Sequence, residues 1–506
     1  MKFRPWTSHL AVSLTAITAT ALVLSGCAGN AGNAGDGDGG SGSTGGTLTL
    51  GSVSNITSFD PAQAHLGHQM PIYQAAYDTL ILREPDGTLS PMLATDWTYN
   101  DDNTVLTMDL RTDVTFTDGA KFDAEAAKAN LDHFLEANGP DANQAKSIES
   151  VDVVDEDTID VNLTAADPAM TYYLSQAPGL MGSPDALGSE GIKTDPVGSG
   201  PYTLDTASSV NGSQFSFTAN KDYWNKDLQK YGKVVFKVLQ DPTARVNAVV
   251  SGQVDAVLLD ARTISQADKA GLKKTAYTVD WQGLFLFDRE GAIVPELADV
   301  RVRQAINYAF DRETMLKELQ FGEGEVTAQV FGKTTDAYIP ALDDAYSYDP
   351  EKAKQLLAEA GYENGFTLNI PMLPGTESIL AMVKQQLADV GITVNLATSP
   401  QDTYVPDLIA GKFPTAWFSV FQGEPWVAIR QMIATDAAYN PFKTTSPELQ
   451  ADIDAVQTGG EESGKLAQKV NQYVTDEAWF APFYRVNQLY YSDDAKVTLV
   501  PQVQQA

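Results

Sequence analysis

Helices that end on glycine and run straight into strands constrain this chain most. Asp241-Pro242 offers an N-cap and a first-turn proline, Val246, Val249 and Val250 form an apolar stripe, and Gly252 closes the helix before a strand at 254–259. The pattern returns at Asp349-Pro350, with Ala353, Leu356, Leu357 and Ala360 at helical spacing and Gly361 at the end. A third copy carries Ile379, Met382, Val383, Leu387 and Val390, then Gly391, then Ile392, Val394 and Leu396 alternating as a strand. Such units build α/β layers. Thr47–Leu50 and Val105–Leu110 read as further strands, and Val302, Ala305, Ile306, Ala309 and Phe310 as a helix. With no repeat of 20 to 50 residues, solenoids and propellers are excluded.

The 506 residues exceed one ordinary domain, yet no linker interrupts the body, so the chain is expected to pass between lobes through ordered strands. A formal charge of -32 makes nucleic-acid binding improbable, because the molecule repels phosphate backbones. The single cysteine rules out an internal disulfide framework. It also has a telling position. Lys2 and Arg4 precede an apolar run from Leu10 to Leu24, too short and too rich in threonine to span a bilayer, and Leu24-Ser25-Gly26-Cys27 then resembles the lipobox of bacterial lipoproteins. Residues 1–26 are thus expected to be a lipoprotein signal peptide and Cys27 the lipidated residue. Residues 27–46, with no apolar side chain larger than alanine after the cysteine, read as a flexible tether reaching about 24 Å. The expected location is the extracytoplasmic face of the cell membrane, by lipid anchor.

Motifs for chemistry are missing. Thr327 stands where a phosphate loop ending in Gly332-Lys333-Thr334 needs glycine, and Val197 where a nucleophile elbow around Ser199 needs one. His65 and His68 have a spacing that could meet a metal but no carboxylate nearby, so no metal, no cofactor and no catalytic residue is assigned. An aromatic and polar cluster stands out instead: Tyr404, Trp417, Phe418, Phe421, Gln422, Glu424, Trp426 and Arg430. Rings beside hydrogen-bonding groups suit a partly apolar solute. Gly423-Glu424-Pro425 is expected to force a loop that offers Trp426 to a ligand or buries it.

Several segments, in order, carry a resemblance: Ser58-Phe59-Asp60-Pro61, Leu93-Ala94-Thr95-Asp96-Trp97, Leu110 to Gly119, Pro196-Val197-Gly198-Ser199-Gly200-Pro201-Tyr202, Asn220 to Trp224, Asp299 to Arg312, and Ala353 to Gly361. The chain resembles the family-five extracellular solute-binding proteins of ABC transporters, the group of peptide, nickel and opine receptors. The resemblance implies an α/β, two-lobed periplasmic-binding-protein-like fold with an extra subdomain in lobe one and a strand hinge. Lobe one would be 47–82, 194–278 and 482–506, the inserted subdomain 83–193, and lobe two 279–481, with crossings near Trp281 to Phe287 and Phe480 to Tyr484.

It further implies a monomer that closes on a small organic solute, a peptide foremost, and delivers it to an ABC permease pair with ATPase subunits. Peptide-binding members place an aspartate near Phe421 to Glu424, and this chain has none there. The ligand contacts expected are Tyr404, Trp417, Phe421, Gln422, Glu424 and Trp426, joined on positional grounds by Asn55, Phe59, Tyr202 and Gln282. A lipid-tethered hydrolase and a solute-sensing receptor stay open as alternatives.

Overall fold

The computed structural model describes residues 45–65 and 67–501. Cys27, the expected signal segment and nearly all of the expected tether lie outside the described residues. Among those described, no helix is long and apolar enough to cross a membrane.

Two long strands organise the body. Lys273–Leu286 and Phe480–Ser492 pair antiparallel over almost their whole lengths, from Lys273 opposite Ser492 to Phe285 opposite Phe480. Together they form the spine of a nine-stranded sheet. At one end their neighbours are Ala256–Leu259 and then Thr47–Ser52, Lys233–Val238, Gln214–Ala219 and Tyr202–Leu204 in order. At the other end they are flanked by Thr415–Phe421 and Gly324–Val326. Along Phe480–Ser492 the second neighbour changes, from Gly324–Val326 at residues 484–486 to Ala256–Leu259 at 489–492. The ladder between the long strands slips between Thr278 and Asp280 and again between Gln282 and Gly283. Such irregularities bend a strand and raise its twist, which suits a sheet that passes from one packed body to another.

Helices form where the sequence punctuates them. Asp241 and Asp349 cap helices Pro242–Val250 and Pro350–Glu359 by accepting from the Ala244 and Lys352 backbone N–H. Helix Glu377–Asp389 links the parallel strands Phe366–Met372 and Ile392–Thr398, with Gly391 turning the chain at φ +95°. A separate antiparallel sheet orders Ala94–Tyr99, Val105–Leu110, Thr158–Leu163 and Ile148–Asp155, with helix Ala124–Ala137 against it.

Asp78 explains two of the most recognisable sequence segments. Its carboxylate is buried and accepts from Ser199 Oγ at 2.9 Å, Tyr223 Oη at 3.0 Å and Trp224 Nε1 at 2.9 Å. Burial pushes its pKa up to about 6, against the pull of these three donors. Arg111 lies on the outer face of the Trp224 ring, 4.1 Å from its centre. Gly198 and Gly200 flank Ser199 because the chain there runs against Ala76 and Tyr77: the Gly200 N–H donates to the Ala76 carbonyl at 2.9 Å. A Cβ on Gly200 would lie 2.6 Å from both the Ala76 oxygen and the Tyr77 nitrogen. Gly200→Ala is therefore expected to cost about 1 to 3 kcal/mol in urea unfolding. Ser199→Ala, which removes one donor to Asp78, is expected to cost about 1 kcal/mol.

Candidate functional site

Ligands of α/β proteins bind outside the carboxyl ends of parallel strands. Here Thr47–Ser52 and Ala256–Leu259, which are parallel, both end at the place where the long strands change neighbours. A cavity of about 310 Å³ opens there, with Val53, Leu259 and Asp260 on one side, Gln320 and Glu323 on the other, and Val486 to Leu489 between them. His68 and Arg245 complete the wall, and Arg245 is paired with Asp260. Burial and the Arg245 charge lower the His68 pKa, so this imidazole is neutral at pH 7. No group of histidines, cysteines and acids suited to a metal ion occurs among the described residues.

Beside the cavity, strand Thr415–Phe421 pairs with the first long strand. Phe421 is opposite Asp280, Ser419 opposite Gln282, and Trp417 opposite Leu284. Leu284 is core and Trp417 packs with it in one apolar cluster, whereas Phe421, at the strand's end, packs against the other. Of the residues expected from sequence, Gln282, Trp417 and Phe421 lie along this ladder, each half-buried. Asp280 and Ser419 belong to the same ladder and were not expected. Ser419 Oγ lies 3.2 Å from Asp280 Oδ2, and burial raises the Asp280 pKa. Val486, on the cavity wall, is the register partner of Asp280 across the other edge. Asn55 follows the Thr47–Ser52 strand by three residues, and its side-chain oxygen is buried without a hydrogen-bond partner among the described residues.

The remaining expected contacts are engaged elsewhere. Gln422 is buried, and its Oε1 accepts from Arg485 Nε at 3.0 Å. That guanidinium is itself fully buried and also pairs with Asp343 at 2.8 Å. Tyr404 sits in helix Gln401–Ile409, buried, and donates to the Trp417 carbonyl at 2.7 Å. Phe59 is core, edge-on to Tyr73, Phe215 and Phe217. Tyr202 lies on the far edge strand of the large sheet, where its hydroxyl accepts from the Tyr231 N–H at 3.2 Å.

The loop expected around Glu424 is the start of a helix. Glu424 caps Pro425–Met432 by accepting from the Val427 N–H at 2.9 Å, and proline occupies the first turn, where no donor is needed. Trp426 in that turn is 2% exposed and belongs to the core. Glycine and proline marked a boundary correctly, but the boundary was a cap. Burial, reinforced by the nearby Asp167 carboxylate, pushes the Glu424 pKa up to about 8. A folded-state value above the ordinary 4.5 means that the native state binds the extra proton. Stability from this group is full below about pH 4.5 and is lost as pH rises through 8. Glu424→Gln keeps an acceptor for Val427 and removes the charge. Its melting temperature is expected to match wild type at pH 4.5 and to exceed it increasingly up to pH 8.5.

Comparison with known proteins bears on the family and the fold. Residues 88–434 match the family model described as the middle part of bacterial extracellular solute-binding proteins, family 5. The glutathione-binding protein GsiB of Salmonella paratyphi A is 29% identical over 79% of this chain and 81% of its own length. Among solved structures, NikA of Brucella suis, in complex with Fe(III)-EDTA, matches with a TM-score of 0.77 at 23% identity, over 91% of this chain and 98% of that one. DppA of Helicobacter pylori, in complex with the peptide STSA, matches with a TM-score of 0.71 at 20% identity, over 89% and 94%. These two share the two-lobed periplasmic-binding-protein fold. With more than half of its length matched by the family model, the chain belongs to the family 5 extracellular solute-binding proteins of ABC importers.

Proposed function

We propose that this protein captures an oligopeptide, or a similar small organic solute, at the crossing of the two long strands and presents it to an ABC permease pair with its ATPase subunits. The observation that carries the reading is the cavity whose walls come from both sides of the crossing. A solute held there touches both bodies, so it binds the closed arrangement better than the open one and shifts the population toward it. The volume is at the lower end of the range for small-molecule sites. Peptide is favoured because a relative over most of the length is named for glutathione and a structural neighbour holds a peptide. The division into lobe one at 47–82, 194–278 and 482–506, inserted subdomain at 83–193 and lobe two at 279–481 belongs to the same reading: the gain of a strand neighbour after Val279 supports the first crossing, whereas on the second long strand the neighbours change at Asn487, beyond the expected 482.

Lipid anchoring at Cys27 belongs to the same proposal, on the strength of the lipobox-like segment and the tether after it. An anchored receptor stays near its permease, and two or more acyl chains hold where one would not. Cys27→Ser is expected to move the protein from the membrane fraction to the soluble fraction; retention in the membrane fraction would contradict the anchor. Glutathione or a tripeptide pool, added at about 100 times its Kd, is expected to stabilise the purified protein by about 2.7 kcal/mol, read as a rise in melting temperature.

A further inference from the structure

The separate antiparallel sheet has two neighbours, and it is held to them unequally. On one side it is bound to the Asp78 region. The Thr117 N–H donates to the Gly198 carbonyl at 3.0 Å, and the Asn130 amide bonds both ways with the Gly182 backbone, which is bridged to Gly198. On the other side it meets helix Pro447–Thr458 across a narrow contact. There Gln457 Nε2 donates to the Ala166 carbonyl at 3.0 Å, and Asn103 Nδ2 to the Thr458 carbonyl at 3.3 Å. A cavity of about 500 Å³ separates the two sides, with Trp97, Tyr99 and Asp167 on one wall and Gln457, Gly460 and Glu461 on the other. With a gap of that size little surface is buried across the contact, and such contacts part readily.

Two carboxylates approach this contact from opposite sides. Asp167 follows strand Thr158–Leu163 and accepts from Ser147 Oγ at 2.6 Å and from the Ala169 N–H at 3.1 Å. Glu424 comes from the other side, at the start of helix Pro425–Met432. Burial raises the pKa of both, and the Asp167 charge raises that of Glu424 further. The groups facing them from the sheet side are Tyr99, Tyr172 and Tyr173, which burial keeps neutral at pH 7. From the helix side the charge is Arg430, which is exposed and paired with Asp436 at 2.9 Å, so it offsets the acids weakly. Two acids so placed share the contact at least cost when one of them carries a proton.

We propose that this contact is a proton-dependent latch: with Glu424 protonated the sheet is held against helices Pro425–Met432 and Pro447–Thr458, and with Asp167 and Glu424 both charged it parts from them. The inference goes beyond the solute-binding reading and stands on this interface alone. Parting exposes Glu424 to water and returns its pKa toward the ordinary 4.5, so closure takes up a proton. The closed contact is therefore favoured fully below about pH 4.5, and the advantage is lost as pH rises through 8. The test is the distance between spin labels at two exposed positions, Glu149→Cys on the sheet and Ala451→Cys on helix Pro447–Thr458, in full-length solute-free protein carrying Cys27→Ser. Electron–electron double resonance is expected to show two distances, with the share of the shorter falling about threefold or more from pH 5 to pH 8.5. Glu424→Gln in the same background keeps the helix cap and is expected to hold the shorter distance at both pH values. A single distance at every pH, or a pH dependence that survives in Glu424→Gln, overturns the latch. No solute enters the measurement, so that failure leaves the receptor reading standing.

Discussion

The pairing of Lys273–Leu286 with Phe480–Ser492 is the constraint on which the rest depends. A flexible linker would let two bodies sample many orientations. Paired strands allow bending and twisting about a narrow zone instead, and the ladder irregularities at Thr278 to Asp280 and Gln282 to Gly283 put that zone beside the cavity. The sequence cost is visible in Gly283, where a Cβ would lie 2.6 Å from the Pro482 Cα. Close approach of backbone to backbone at a bulge leaves room for glycine alone.

Two buried polar knots hold the bodies around this spine. Asp78 gathers Ser199, Tyr223 and Trp224, so segments more than a hundred residues apart are tied to one carboxylate. Arg485 gathers Gln422, Asp343 and the Phe331 carbonyl. Burial pushes Asp343 up, but the Arg485 guanidinium and the hydroxyl donors Tyr338 and Thr327 outweigh it and hold the carboxyl below its usual range. Gln422, expected to touch solute, is thus a brace that fixes the end of strand Thr415–Phe421, and with it the position of Phe421 opposite Asp280.

Local signals were legible where local chemistry decides. Asp241-Pro242 and Asp349-Pro350 start helices, and Gly391 ends a turn before a strand, because caps and positive φ are properties of a few adjacent residues. The site was legible only in part. Trp417, Phe421 and Gln282 are half-buried along the strand ladder, whereas Phe59, Tyr202, Tyr404 and Trp426 are packed inside, since an aromatic ring in sequence carries no mark of which side it faces. Asp280 escaped notice for a different reason. It is one of 66 acids, and its place opposite Phe421 comes from a register between strands separated by about 140 residues, which no local pattern encodes.

The proposed capture requires solute to bridge the two bodies at the strand crossing. Small-angle X-ray scattering of solute-stripped protein, before and after saturation with the solute that copurifies from its host, measures this directly. A fall in the radius of gyration, absent when the same solute is added to a variant that fills the cavity by replacing the lining residue Leu258 (Leu258→Trp), is the expected result. An unchanged radius in wild-type protein with calorimetrically proven binding would contradict capture between the bodies.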